Sequence, residues 1–262
     1  MSETFVQDHN PASQRVVILL HGLGTTGDSW QLQVPALTAA GYRVLIPDLP
    51  GFGRTAYRGR SDGGRWGITD FAATVRQVLE PRGVARAHLA GISMGGTVAL
   101  QLALDSPALV DRLVLINTPP RLQAMRPSGW LALWMRIALM YGLGLPSQAR
   151  VISQRIFPHP GQEALRQAIR DQIIQSDPKA YRAAVWALQR FNVTPRLGEI
   201  RSPTLILTGD QDTTISPESQ RLLLGIPGSR QVVVAGAGHG VIADHPEESN
   251  ALLVNFLTEG SS

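Results

Sequence analysis

Six short stretches of the 262-residue chain are rich in β-branched and aliphatic residues: Val16 to Leu20, Arg43 to Pro47, His88 to Gly91, Arg112 to Asn117, Thr204 to Thr208 and Gln231 to Ala235. Unbroken apolar runs of this length are expected of strands covered on both faces. Between them, apolar residues recur at helical spacing over Gln31 to Ala40, Thr69 to Arg82, Gly95 to Asp105, Pro217 to Leu224 and Pro246 to Leu257. Strands alternating with helices imply right-handed crossovers and a mostly parallel central sheet flanked by helices, an α/β fold. Ligands of such sheets collect at the carboxyl ends of the strands.

The alternation stops between about Pro119 and Thr194. Trp130, Leu133, Trp134, Ile137, Ala138 and Tyr141 form an apolar stripe at helical spacing, and further helices are predicted over Gln162 to Gln175 and Pro178 to Arg190. Pro195 and Pro203 bracket the return to the sheet. The expected organisation is a core of residues 1–118 and 196–262. A helical cap, residues 119–195, is inserted after the sixth strand position and is not an independent domain.

Composition narrows the chemistry. A hydrophobic fraction of 44% suits a chain with a sizeable core, and the formal charge of +4 is modest. Arginine carries nearly all the positive charge, Lys179 being the only lysine. The cluster Arg54, Arg58, Arg60 and Arg65 lies in a Gly-rich stretch without regularly interleaved aromatics, which reads as a solvated loop rather than a nucleic-acid surface. Without cysteine there is no disulfide framework, thiolate nucleophile or Cys-ligated zinc. The polar start Met1 to Phe5 lacks the basic and apolar regions of a signal peptide, and the apolar stretch Trp130 to Leu145 is interrupted by Arg136. A cytoplasmic protein that binds neither membrane nor nucleic acid, monomeric or homodimeric, is expected.

The segment Leu89-Ala90-Gly91-Ile92-Ser93-Met94-Gly95-Gly96-Thr97 reads as a strand, a Gly-x-Ser-x-Gly turn and a helix start, which would place the Ser93 hydroxyl at the tip of a sharp bend. After the first buried strand, His21-Gly22-Leu23-Gly24 offers backbone N–H groups near the same sheet edge. Leu23 and Met94 are the expected oxyanion donors. Serine needs a base, and His239, between glycines directly after the last predicted strand, is placed to serve; His9, His21, His88, His159 and His245 are not. The imidazole in turn needs an anionic partner. Asp210 and Asp212 both follow the strand Thr204 to Thr208. Asp212 is preferred because it lies further round the loop, while Asp210 can simply close a turn. The other strand end where an acid might sit holds Asn117, without charge.

These residues together resemble the α/β-hydrolases, in particular the small capped kind that includes esterases, lactonases and carbon–carbon bond hydrolases. The resemblance rests on His21-Gly22, the turn Asp48-Leu49-Pro50-Gly51-Phe52-Gly53-Arg54-Thr55, Gly91 to Gly96, Gly209 to Asp212, and Gly238-His239, in order over residues 16 to 257. It implies a triad of Ser93, Asp212 and His239 with Leu23 and Met94 as the oxyanion hole, no metal or organic cofactor, and a small-molecule ester as substrate. A lactonase or carbon–carbon bond hydrolase on the same triad is the alternative, and a non-catalytic ligand-binding protein of the same fold is the alternative of another class. Trp130 and Trp134 are candidates for lining an acyl pocket, together with Met135, Met140 and Tyr141. Two departures stand out. Many relatives begin with an antiparallel strand pair, for which the fifteen residues before Val16 leave little room, so a sheet lacking its first edge strand is expected. Thr55 also stands where serine is usual.

Overall fold

The computed structural model describes residues 4–122, 141–142 and 144–259. Among these residues the core is one sheet of seven strands: β1 (Val6–His9), β2 (Val16–Leu20), β3 (Arg43–Pro47), β4 (Ala87–Ile92), β5 (Val110–Ile116), β6 (Thr204–Gly209) and β7 (Arg230–Val234). Their spatial order is β1-β3-β2-β4-β5-β6-β7, parallel throughout except for β1, which runs antiparallel to β3. Residues Val6–His9 therefore form one antiparallel edge strand, where the resemblance implies a pair. The inserted helical segment follows β5, which is the sixth position in a numbering that begins with such a pair. Thr55 helps to hold that edge, because its Oγ1 accepts from the backbone N–H of Phe5 at 3.0 Å.

Every residue of β2, β4 and β6 is buried. Alternation of side chains along a strand then sorts them into two cores. Ile18, Leu20 and Leu89 face one side, with α2 (Ile68–Leu79) and α3 (Met94–Asp105). Val17, Leu19, Val114 and Leu205 face the other, with α1 (Val34–Ala39) and the C-terminal helix. α3 is buried over nearly its whole length, which is why its sequence carries so little polar face.

Three helices of the inserted segment are described: α4 (Gly144–Ile156), α5 (Glu163–Gln175) and α6 (Pro178–Arg190). α6 starts where Pro178 occupies the first helical position and Asp177 accepts from the N–H groups of Lys179 and Ala180. α7 (Pro217–Arg221), α8 (Val241–Asp244) and α9 (Pro246–Thr258) complete the chain. No helix among the described residues is long and apolar enough to cross a membrane.

Candidate active site

The strand order changes direction at β2, whose chain successor β3 lies on one side and whose other neighbour is β4. Loops leaving the carboxyl ends of β2 and β4 therefore diverge and leave a crevice, the place where open α/β sheets bind ligands. Ser93 stands at the end of β4 with φ 54° and ψ −116°, a left-handed conformation uncommon for a non-glycine residue. The strain is held by the Ser93 N–H donating to the Ile116 carbonyl at 2.9 Å and by the Ser93 carbonyl accepting from Thr97 at 3.1 Å. The glycine at 95 is a steric requirement. A Cβ there would lie 2.1 Å from the Leu20 carbonyl oxygen and 2.7 Å from that of His21. α3 can thus begin directly against β2, which brings Met94 beside the His21–Gly24 loop.

Met94 is the first residue of α3, so its N–H has no carbonyl one turn earlier to bond. Leu23 and Met94 both line the same cavity as Ser93. The Leu23 loop is fixed from beneath by His21, which is fully buried: Nδ1 donates to the Gly22 carbonyl at 2.9 Å, and Nε2 accepts from the Leu49 N–H at 2.9 Å. This pattern needs a neutral ring, and burial holds its pKa below the ordinary imidazole value. Asp48, also buried, secures the following turns by accepting from the N–H groups of Gly27 (2.8 Å) and Arg54 (2.9 Å) and from Arg54 Nε (2.7 Å). Burial works against its charge, but these bonds more than offset it and hold the carboxyl below the usual range. Asp48 is therefore part of the turn, as its setting among glycines implied.

On the opposite side of Ser93, His239 Nδ1 and Asp212 Oδ2 are 2.8 Å apart, with both side chains almost wholly buried. Asp212 Oδ1 accepts from the N–H groups of Thr214 (2.8 Å) and Ile215 (2.9 Å), and Oδ2 accepts also from Gln220 Nε2 (3.1 Å). The competing carboxylate, Asp210, is exposed and receives the Gly236 N–H at 2.8 Å, closing the turn. The imidazole can be fixed with its proton on Nδ1, which leaves the Nε2 lone pair free as a base.

Two supports were invisible in sequence. Asn117, the uncharged residue at the end of β5, adopts φ 45° and is fully buried. Its Nδ2 donates to the carbonyls of Gly238 (3.1 Å) and His239 (2.8 Å) while its Oδ1 accepts from the Gly209 N–H (2.9 Å). One amide thus ties the acid loop to the histidine loop. The only available signal was an asparagine at a strand end, a residue type that tolerates the left-handed region. Gln220, on the short α7, gave none.

Ser93, Leu23, Met94 and His239 open onto one cavity of about 570 Å³. Its walls are mainly aliphatic, with Ile92 and Ile242 from the core and Val151, Ile152, Leu165 and Ile169 from α4 and α5. Trp130, Trp134, Met135 and Met140 lie outside the described residues. Tyr141 does not line the cavity: it is 57% exposed, accepting from Trp186 Nε1 at 3.3 Å. The arginine loop is largely neutralised by its own acids, Arg54 by Asp48 and Asp28 and Arg60 by Asp62 and Asp70. Among the described residues no group of three or more His, Asp or Glu is placed to hold a metal ion.

Comparison with known proteins agrees with this architecture. A protein of Variovorax paradoxus assigned as carbamate hydrolase RutD is 34% identical, over 97% of this chain and 96% of that one. The 2-hydroxy-6-oxo-6-phenylhexa-2,4-dienoate hydrolase of Comamonas testosteroni is 27% identical, over 97% and 92%. The crystal structure of the enol-lactonase from Burkholderia xenovorans LB400 superposes with a TM-score of 0.87 at 26% identity, covering 98% of this chain and 96% of that one. The profile of the alpha/beta hydrolase fold matches residues 15–246, and the chain belongs to that family.

Proposed function

We propose that the protein is a serine hydrolase that cleaves carboxylic esters, with Ser93 as nucleophile, His239 as base and Asp212 as its anionic partner. The observation that carries the reading is the buried 2.8 Å contact between His239 Nδ1 and Asp212 Oδ2, with His239 and Ser93 facing one apolar cavity. His239 Nε2 takes the Ser93 hydroxyl proton as Oγ attacks the ester carbonyl. The resulting oxyanion receives the N–H groups of Leu23 and Met94, each such donor being worth about 3–4 kcal/mol in the transition state. His239 then returns the proton to the leaving alcohol. Water, activated by the same imidazole, releases the acid from the acyl-Ser93 ester. Residues 119–195 act as the cap, supplying the wall of α4 and α5 against which the acyl chain packs.

A lactone is an ester whose alcohol stays attached to the acid, so the same steps open one, and the similarity to the enol-lactonase supports that second reading. The dienoate hydrolase and the carbamate assignment among the relatives extend the range of bonds to be tried. The test is a panel of nitrophenyl esters of increasing chain length, with lactones and carbamates, assayed on wild type and Ser93→Ala. Turnover of esters by wild type and its loss in Ser93→Ala is expected. Undiminished ester turnover in the variant would overturn the reading.

A further inference from the structure

The inserted helices do more than roof the cavity, because they hold the loop that carries Leu23. The backbone N–H of Thr26 donates to Gln172 Oε1 at 3.0 Å, joining that loop to a side chain of α5 that lies 146 residues away in sequence. Gly24, at φ +76°, is packed so closely that a Cβ would lie 2.8 Å from Ile173 Cγ1 and 2.9 Å from Tyr181 Cε2. α5 and α6 thus grip the loop at both residues.

The Thr26 contact also fixes which way the Gln172 amide faces. A backbone N–H only donates, so the amide oxygen must point to Thr26 and the NH2 group must occupy the other position. Gln172 lines the cavity, and among the described residues its NH2 group meets no hydrogen-bond acceptor. Its neighbours on the same wall, Leu165, Ala168 and Ile169, are apolar. Gln172 is thus the polar side chain that α5 contributes to the lining, which elsewhere also includes Thr25, Gln148 and Arg155, and a donor whose direction is fixed against apolar neighbours is the kind of group that sets a ligand's orientation.

We propose that Gln172 is a specificity-determining residue whose amide oxygen seats the oxyanion loop and whose NH2 group donates to a second carbonyl oxygen on the substrate. The preferred substrates are then esters that carry a keto, amide or further ester carbonyl, and not simple hydrocarbon esters. This rests on the ester-hydrolase reading above. It goes beyond that reading by naming a polar group the substrate must bring and the residue that reads it.

The test compares matched alkyl esters, one member purely hydrocarbon and the other with a keto group walked along the acyl chain or, in a second series, along the alcohol. At the best position wild type is expected to favour the keto ester by about 10-fold in kcat/KM, the usual worth of one hydrogen bond. Gln172→Glu keeps an acceptor for Thr26 but puts oxygen where the NH2 group was, and the ratio is expected to fall to one or below. Gln172→Leu loses the ratio as well and, by releasing the loop, lowers kcat on both members. No favoured keto position in wild type, or an unchanged ratio in Gln172→Glu, would overturn the inference while leaving ester hydrolysis standing. Failure of wild type to turn over any ester would overturn both.

Discussion

Replacing Asp212 by asparagine changes one atom and is expected to stop the reaction, for a reason visible in the hydrogen bonds around it. Oδ1 receives two backbone N–H groups, from Thr214 at 2.8 Å and Ile215 at 2.9 Å. These groups only donate, so the asparagine carbonyl must take the Oδ1 place; the reverse orientation would leave two bonds unmade at about 1–3 kcal/mol each. The new NH2 group then faces His239 Nδ1 and also Gln220 Nε2, itself a donor at 3.1 Å from the present Oδ2. His239 can meet it only by accepting at Nδ1, which puts the ring proton on Nε2, the atom that takes the Ser93 proton in the proposed reaction. A wrong tautomer of this kind costs about 10⁴ in kcat, or about 5.5 kcal/mol of barrier. Asp210→Asn is the matched control, since asparagine can still accept the Gly236 N–H, and kcat there is expected to stay within about 2-fold because a solvent-side turn bond is worth little. Steady-state kcat and KM on a short-chain nitrophenyl ester, with urea unfolding to check that both variants fold, decide the matter. Asp212→Asn retaining more than a tenth of kcat, or a larger loss in Asp210→Asn, would refute the reasoning.

Gly95→Ala must open the 2.1 Å approach of the new Cβ to the Leu20 carbonyl oxygen by about 1.3 Å to reach ordinary contact, and the atom it meets belongs to backbone and cannot swing aside. The expected result is about 2–3 kcal/mol of lost stability by urea unfolding and about 10²-fold lower kcat, because Met94 and Ser93 move with the helix. Gly198→Ala, where a Cβ meets nothing within 4 Å, serves as the control and should change stability by less than about 0.5 kcal/mol. His88 is a pH probe. Burial, against the opposing charge of Asp111 whose carboxylate lies 3.4 Å away, pushes its pKa down to about 4 from 6.5. The native state then binds fewer protons than the unfolded chain between those two values, so this stability is present above 6.5 and is lost as pH falls toward 4. The loss between about pH 7 and about pH 5 is about 2 kcal/mol. His88→Phe is expected to flatten the pH dependence of unfolding by that amount, and a dependence identical to wild type would show that His88 is not the group responsible.

Much of this molecule could be read from sequence where one physical rule dominated. β2, β4 and β6 are buried on both faces, so continuous apolar runs announced them. α5 and α6 lie within a residue of their expected ends, α6 being framed by Pro178 and its Asp177 cap. β1 gave no such signal: Val-Gln-Asp-His on a sheet edge is polar at three of its four positions, and what makes it a strand is its pairing with β3. α4 does carry apolar residues at helical spacing, Leu145, Ala149, Ile152 and Ile156, but Gly144 and Pro146 at its start and the polar Gln148 and Ser153 buried on the same face obscured it. At the site, spacing pointed to Ser93, Asp212 and His239 because loops after successive parallel strands converge at one sheet edge. It could not point to Asn117, Gln220 or Gln172, whose roles depend on partners brought together by the fold from distant parts of the chain.

The most direct measurement of the central claim is mass spectrometry of the protein quenched during turnover of a slow ester, or after reaction with a fluorophosphonate. The expected result is one added acyl or phosphonyl group per chain, mapped to the peptide containing Ser93, absent from Ser93→Ala and much slower to form in a His239→Ala variant. Full labelling at another residue, or ester turnover without any adduct in a variant lacking the Ser93 hydroxyl, would contradict it.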